Sequence, residues 1–223
     1  MKIIAICSNP YPSGSVVRTK YILRSLRNFG HEATLIPPIR RLPFFLNLLI
    51  SLILNLIFLI PKKTDIVWVS KPNLNTFLPA IMKKYLGAKI ILDMDDLSFL
   101  YYKNGLIKKI TKLFELSFPK LFDLVVVNQR DIGIFLKKTL AIPPKKIFLL
   151  ENGVDTQIFN PDRFKNIEEK KKKILLYIAH LDISSDLEPI ISVFKNLVKE
   201  LPDTVLLIVG GGSKLKYFKN LIK

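Results

Sequence analysis

The sequence predicts an α/β protein built on doubly wound parallel sheet, with a second unit that is incomplete. Three observations carry this reading. Short apolar runs of strand length alternate with segments of helical period, breaker-rich loops follow several of the runs, and a polar stretch around residues 160–173 divides the chain unevenly. The chain has 223 residues, more than one minimal domain and less than two full ones at roughly 100 to 200 residues each. With 49% hydrophobic residues and a mean hydropathy of +0.29 it buries a core, and disorder is excluded. Cys7 stands alone, which excludes an internal disulfide, and with two His it leaves no metal cluster of the usual His/Cys kind.

In order, Ile3-Ile4-Ala5-Ile6-Cys7 reads as a buried strand that runs into the loop Ser8-Asn9-Pro10-Tyr11-Pro12-Ser13-Gly14. Val16, Val17, Tyr21, Ile22, Leu26 and Phe29 follow at helical spacing, Gly30 stops the helix, and Glu32 to Ile36 returns as a strand. The alternation continues with a strand at Ile66 to Val69, a helix from Thr76 to Leu86 closed by Gly87, and a strand at Lys89 to Leu92. Strands at Leu124 to Val127 and Lys146 to Leu150 flank a helix from Asp131 to Leu140. Ligands of such sheets bind at the carboxyl ends of the strands. The expected division is a first domain over 1–160, a linker over 161–173 and a partial second domain over 174–223. That second domain reads as strand Ile174 to Ile178, helix Leu187 to Glu200, strand Val205 to Val209, three glycines, and a helix from Ser213.

Pro43 to Ile60 carries no charge and is bracketed by Arg40-Arg41 and Lys62-Lys63. As a helix of about 1.5 Å per residue it reaches about 27 Å, just short of a hydrocarbon core of about 30 Å. A full crossing would separate two strands of one sheet. Asn47, Ser51 and Asn55 recur every fourth residue and make one polar stripe on an otherwise apolar helix. Such a helix suits a membrane interface, its stripe towards protein or headgroups and its basic ends on phosphates; the alternatives are a buried core helix or a span. Leu100 to Phe114 mixes aromatics, leucines and lysines in a way that suits the same surface or an ordinary lysine-faced helix.

Lys and Arg number 35 against 18 Asp and Glu, a net charge of +17 that draws phosphate-rich partners: anionic lipid, nucleotide or nucleic acid. Plain solvated lysines are the competing reading. No nucleic-acid-binding motif is present, so nucleic acid is not the expected partner. The apolar start is a strand's length and lacks a cleavage site, so no secretory signal is read there.

The loop Pro12-Ser13-Gly14-Ser15, Gly30-His31-Glu32-Ala33-Thr34, the segment Ile90 to Asp96, and Glu151-Asn152-Gly153-Val154-Asp155 through Ile158-Phe159-Asn160-Pro161 resemble family 4 glycosyltransferases. So does Leu206 to Gly212, and the segments occur in the family's order across nearly the whole chain. The resemblance implies a GT-B architecture of two Rossmann-like domains, acceptor on the first and nucleotide-sugar donor on the second, and a retaining enzyme without a metal or other cofactor. The loop Ser13, Gly14 and Ser15 opens a helix whose N-terminus favours phosphate or sugar-phosphate oxygens, and is assigned to the acceptor. Asp95 and Asp96 end a strand where acids can take a hydroxyl proton, and are the catalytic candidates; a solvated turn is the structural alternative. Asn152, Gly153, His180, Gly210, Gly211 and Gly212 are the donor-side candidates, although glycines also serve plain turns.

His180 stands where the family carries the arginine of a Gly-Arg-Leu motif, and Ser185 and Asp186 replace its Lys-Gly; in the family that arginine and lysine neutralise the leaving pyrophosphate. Ser185 and Glu188 read as a capping box instead. The chain reaches Lys223 before the family's paired-glutamate motif and so reads as C-terminally truncated. The expectation is therefore a glycosyltransferase acting on a lipid-linked or surface-glycan acceptor. It would be cytoplasmic, held peripherally on the anionic inner face of the membrane, and inactive if truncation removes the donor half. The alternative is a non-catalytic, membrane-docked acceptor subunit that a second chain completes.

Overall fold

The computed structural model describes the chain except Pro12, Arg41, Asn104, residues 165–172, residues 182–185 and Lys223. It divides into two compact units, Met1–Gly153 and Val154–Lys223. Most of the expected linker over 161–173 lies outside the described residues; a short 3-10 turn, Pro161–Phe164, precedes the gap.

Unit 1 contains strands β1 (Lys2–Cys7), β2 (Glu32–Leu35), β3 (Ile66–Ser70), β4 (Lys89–Met94), β5 (Leu124–Val127) and β6 (Ile147–Leu149). All of its pairings are parallel and the order is β2-β1-β3-β4-β5-β6. The expected parallel α/β sheet is therefore present. The register sets Ile4 beside Val67 and Val69 beside Leu92, which explains the unbroken apolar strands: both faces of the sheet are covered. The chain leaves β1 towards β2 and returns on the other side of β1 to β3, so the order reverses between β1 and β3. That reversal opens a crevice at the carboxyl ends of the strands.

The helices α1 (Gly14–Asn28), α2 (Phe44–Leu59), α3 (Leu74–Tyr85), α4 (Leu106–Ser117) and α5 (Arg130–Leu140) cover the two faces unequally. Leu23 of α1 joins Ile3, Ala5, Ala33, Trp68 and Val126 in one core. Leu59 of α2, Ala80 of α3 and Leu136 of α5 join Ile6, Val69, Leu92 and Phe122 in the other. Helix α3 begins two residues before the expected Thr76. Phe77 of α3 stacks on Phe118 at 4.2 Å and meets Phe114 of α4 edge-on at 5.9 Å, which fixes α4 beside α3.

Unit 2 contains β7 (Lys173–Ile178), α6 (Leu187–Glu200), β8 (Thr204–Val209) and α7 (Leu215–Leu221). The two strands pair in parallel, and Leu181, Leu187, Ile191 and Phe218 close a small core. The last helix starts at Leu215 rather than at Ser213. Lys214 precedes it, so Ser213 does not cap it. The expected Ser185–Glu188 capping box lies partly outside the described residues. Register pairs Ile174 with Val205, Leu176 with Leu207 and Ile178 with Val209, and all six side chains are exposed. Among the described residues nothing covers this face of the sheet.

Candidate functional site

Two linked groups of polar side chains occupy the carboxyl ends of the unit 1 strands. The first forms around the β1 exit. Ser13 precedes α1 with extended backbone, and Gly14 and Ser15 are its first residues; no acid occupies the first turn. Ser13 Oγ and Ser15 Oγ lie 3.3 Å apart, Asn9 Nδ2 donates to Ser15 Oγ, and Thr19 Oγ1 donates to the Ser15 carbonyl. A methyl group added at Gly14 meets nothing within 4 Å, so this stretch of backbone is open to a ligand. From the other side of the crevice, Asn73 Nδ2 donates to Ser8 Oγ at 2.6 Å, and Ser8 Oγ donates to Asn75 Oδ1. The N-terminus of α3 is thereby tied to the end of β1.

The second group is built on two buried cations that the sequence reading missed. Arg18, one turn into α1, directs Nε at Asp93 (3.1 and 3.2 Å), Nη1 at Asn152 Oδ1 (2.6 Å) and Nη2 at the Leu150 carbonyl (2.8 Å). A planar guanidinium suits this three-way role because its donors are held in a fixed fork. Asn152, expected on the donor side, is thus held to α1 and β4 within unit 1. Gly153, also expected there, is exposed at the end of the unit.

Lys71 directly follows β3 in a left-handed backbone conformation, φ 67°, and is 4% exposed. Its ammonium donates to Asp96 Oδ1 and, at 2.7 Å, to Ser98 Oγ, and lies 3.5 Å from Asp95 Oδ1. The two acids expected to be catalytic are therefore brought together on one cation. They differ in access: the Asp96 side chain is 33% exposed and that of Asp95 17%. Burial pushes the Asp95 carboxyl above the usual carboxylate range, against the pull of Lys71 and with the help of Asp96. Burial likewise raises Asp93, more than Arg18 lowers it. For Lys71 burial acts downwards, but the charges of Asp95 and Asp96 outweigh it and hold the ammonium protonated above its ordinary range. Glu115 of α4, fully buried, accepts the backbone N–H groups of Ser98 and Phe99 and ties α4 to the acid-bearing loop.

Signals for these residues existed. Lys71 is a charge directly after a buried apolar strand, the criterion that singled out Asp95 and Asp96. Glu115 is a charge on the inward face of α4, one turn after the equally buried Thr111.

In unit 2 the three glycines divide by role. A Cβ at Gly210 would run into the Ala179 carbonyl, and one at Gly212 into the Leu181 carbonyl, so both allow close backbone approach. Leu181 N–H donates to the Gly211 carbonyl at 2.9 Å, while a Cβ at Gly211 would meet nothing within 4 Å. His180 is exposed beside this turn. Among the described residues, no group of three His, Cys, Asp or Glu side chains is placed to hold a metal ion.

Helix α2 is polar inside and apolar outside. Asn47, Ser51 and Asn55 are buried, and Asn55 Nδ2 donates to the Asn75 carbonyl at 2.7 Å. Phe45, Leu46, Leu49, Ile53, Ile57 and Phe58 are exposed. The polar stripe thus turns towards protein, and the helix is not a buried core element. Among the described residues no helix is long and apolar enough to cross a membrane. Phe44 meets Tyr102 edge-on at 6.2 Å, which links the start of α2 to the exposed stretch of Leu100, Tyr101, Lys103 and Leu106.

Residues 159–223 match the family model for glycosyl transferases group 1. Over 153 residues the chain is 28% identical to the N-acetylgalactosamine-N,N'-diacetylbacillosaminyl-diphospho-undecaprenol 4-alpha-N-acetylgalactosaminyltransferase of Campylobacter jejuni, covering 67% of this chain and 40% of that one. A glycosyltransferase structure from Rickettsia africae superposes over 100% of this chain and 64% of its own, with TM-score 0.64 and 17% identity. A UDP-GlcNAc 2-epimerase from Methanocaldococcus jannaschii, in complex with UDP-GlcNAc and UDP, does so over 100% and 69%, with TM-score 0.60 and 15% identity. The chain therefore spans less than half of the curated relative it matches. The structural likenesses establish the fold, α/β of the GT-B type, and the family match with the curated relative supports the resemblance to glycosyltransferases.

Proposed function

We propose that this protein is a glycosyltransferase that moves a sugar from a nucleotide-sugar donor to a lipid-linked or surface-glycan acceptor, docked peripherally on the cytoplasmic, anionic face of a membrane. The observation that carries the reading is the polarity of α2. A helix whose polar stripe is hydrogen-bonded inwards presents its apolar side chains outwards, and basic residues at Arg40, Lys62 and Lys63 flank it. The relative that acts on a diphospho-undecaprenol carrier supports a lipid-linked acceptor. Ser13, Gly14 and Ser15 are assigned to the acceptor, with Asp96 reaching its hydroxyl and Asp95 behind it on the shared Lys71. Asn152, Gly153, His180, Gly210, Gly211 and Gly212 are assigned to the donor side. Of the three glycines, Gly211 has the open space a ligand needs. The reaction needs no metal or other cofactor in this reading.

A second reading, a membrane-docked acceptor-binding subunit completed by another chain, draws on the bare apolar face of β7 and β8. Turnover by the purified chain separates the two. The docking itself is tested by flotation with vesicles rich in phosphatidylglycerol. Leu49→Glu with Ile53→Glu and Ile57→Glu should abolish flotation and leave the fold intact by circular dichroism, and unchanged flotation would overturn the assignment.

A further inference from the structure

A cavity of about 790 Å³ in unit 1 lies outside the groups described above, between α1 and the edge strand β2, with residues 37–40 as its third wall. Its volume is within the range that holds small ligands. Leu23, Leu35, Pro37 and Pro38 give it apolar walls. Lys20, Arg24, Arg27 and Arg40 also line it, and among the described residues no carboxylate is part of the lining. Lys20, Arg24 and Arg27 follow at helical intervals of four and three, so α1 presents them on one face. Several are held in place. Arg27 Nε donates to the Ala33 carbonyl at 2.7 Å, Lys20 Nζ lies 4.6 Å over the Tyr11 ring, and the Tyr11 N–H donates to the Ile39 carbonyl, pinning the wall that carries Arg40.

Four like charges around an apolar space repel one another, and low-dielectric walls focus their field on whatever enters. Guanidinium groups match phosphate oxygens in geometry as well as charge. β2 and β4 are three strand spacings apart, roughly 14 Å, so this cavity is separate from the Lys71, Asp95 and Asp96 group. We propose that the cavity binds the phosphate or diphosphate group of an amphiphile, with the adjoining apolar chain lying on Leu23, Leu35 and the two prolines. The inference rests on the lipid-linked reading only for the source of the amphiphile; binding requires no sugar transfer.

Calorimetry on the full chain with three probes, farnesyl diphosphate, farnesol and inorganic diphosphate, tests it. Farnesyl diphosphate should bind at least about tenfold more tightly than either other probe, because only it meets both the cations and the apolar walls. The double substitution Lys20→Glu with Arg40→Glu should weaken it by at least about tenfold. Leu35→Trp, which adds bulk to the cavity wall on the α1 face of β2 without changing charge, should do the same. Circular dichroism checks that both variants fold. Equal affinity for inorganic diphosphate would overturn the amphiphile, and unchanged affinity in both folded variants would overturn the site. Binding without sugar transfer would sink the transferase reading and leave this site standing; transfer without binding would do the reverse.

Discussion

Pro79 lies inside α3 and has no N–H, so the carbonyl four residues earlier, that of Asn75, lacks its helical donor. Helix α2 supplies the replacement: Asn55 Nδ2 donates to that oxygen at 2.7 Å, with Asn55 5% exposed and Asn75 fully buried. Asn55→Leu keeps a similar volume and removes the donor, leaving a buried carbonyl unpaired. A cost of about 1–3 kcal/mol follows. In a Pro79→Ala background the restored Ala N–H can serve the same oxygen, so the second Asn55→Leu should cost less, with a coupling of about 1–2 kcal/mol in the double-mutant cycle. The chain has one tryptophan, Trp68 in β3, and its fluorescence during urea unfolding reports on unit 1. The reasoning fails if Asn55→Leu is neutral, or if the two substitutions are additive. Because the outer face of α2 is untouched, the folded Asn55→Leu protein should bind vesicles as the parent does.

Two further expectations concern the candidate site. Lys71→Met leaves Asp95 and Asp96 without their cation and should cost about 3 kcal/mol in urea unfolding, the low end for a broken buried pair because Asp96 is one-third exposed. Its pH dependence has a definite sign. The folded-state Asp95 titrates above its ordinary range, so the contribution of its protonated form is present in acid and lost as pH rises through the folded value. Asp95→Asn should therefore be more stable than the parent at neutral pH, converge with it in acid, and rescue part of the Lys71→Met loss. In unit 2, Gly210→Ala should destabilise by about 1–3 kcal/mol through its clash with the Ala179 carbonyl. Gly211→Ala should leave thermal melting unchanged, so any loss of nucleotide-sugar binding by calorimetry reports a ligand contact there.

The sheet was legible because its strands are unbroken apolar runs such as Ile3 to Ile6 and Leu124 to Val127, separated by helices with glycine stops at Gly30 and Gly87. Such runs admit little except a sheet covered on both faces. Strand order was not legible, since it depends on long-range register. The acids at the end of β4 could be found by position alone. Arg18 and Lys71 could not be assigned, because their partners lie far off in sequence, Asp93 and Asn152 at 75 and 134 residues from Arg18 and Asp96 at 25 from Lys71. The glycines of unit 2 were visible as a loop, but only the proximity of the Ala179 and Leu181 carbonyls separates two packing glycines from an open one.

The orientation of α2 follows from the same chemistry and sets the strength of the proposed docking. Its polar residues share one stripe, and Asn55 in that stripe answers a carbonyl that only Pro79 leaves open, so the helix turns that stripe inwards and has nothing but apolar side chains for the outside. Six of these are roughly half exposed, and covering each contributes about 1 kcal/mol, roughly 6 kcal/mol together. That is comparable to one acyl anchor, which holds a protein only reversibly. Each basic residue near an anionic surface adds about 1 kcal/mol, a contribution that salt screens within about 10 Å at 0.1 M. In the proposed docking, Arg40, Lys62 and Lys63 beside the helix should convert marginal insertion into stable attachment on anionic lipid, which flotation on anionic against neutral vesicles checks. On neutral lipid, or in high salt, the apolar face alone should leave the protein in exchange with solution, so flotation there should be lost.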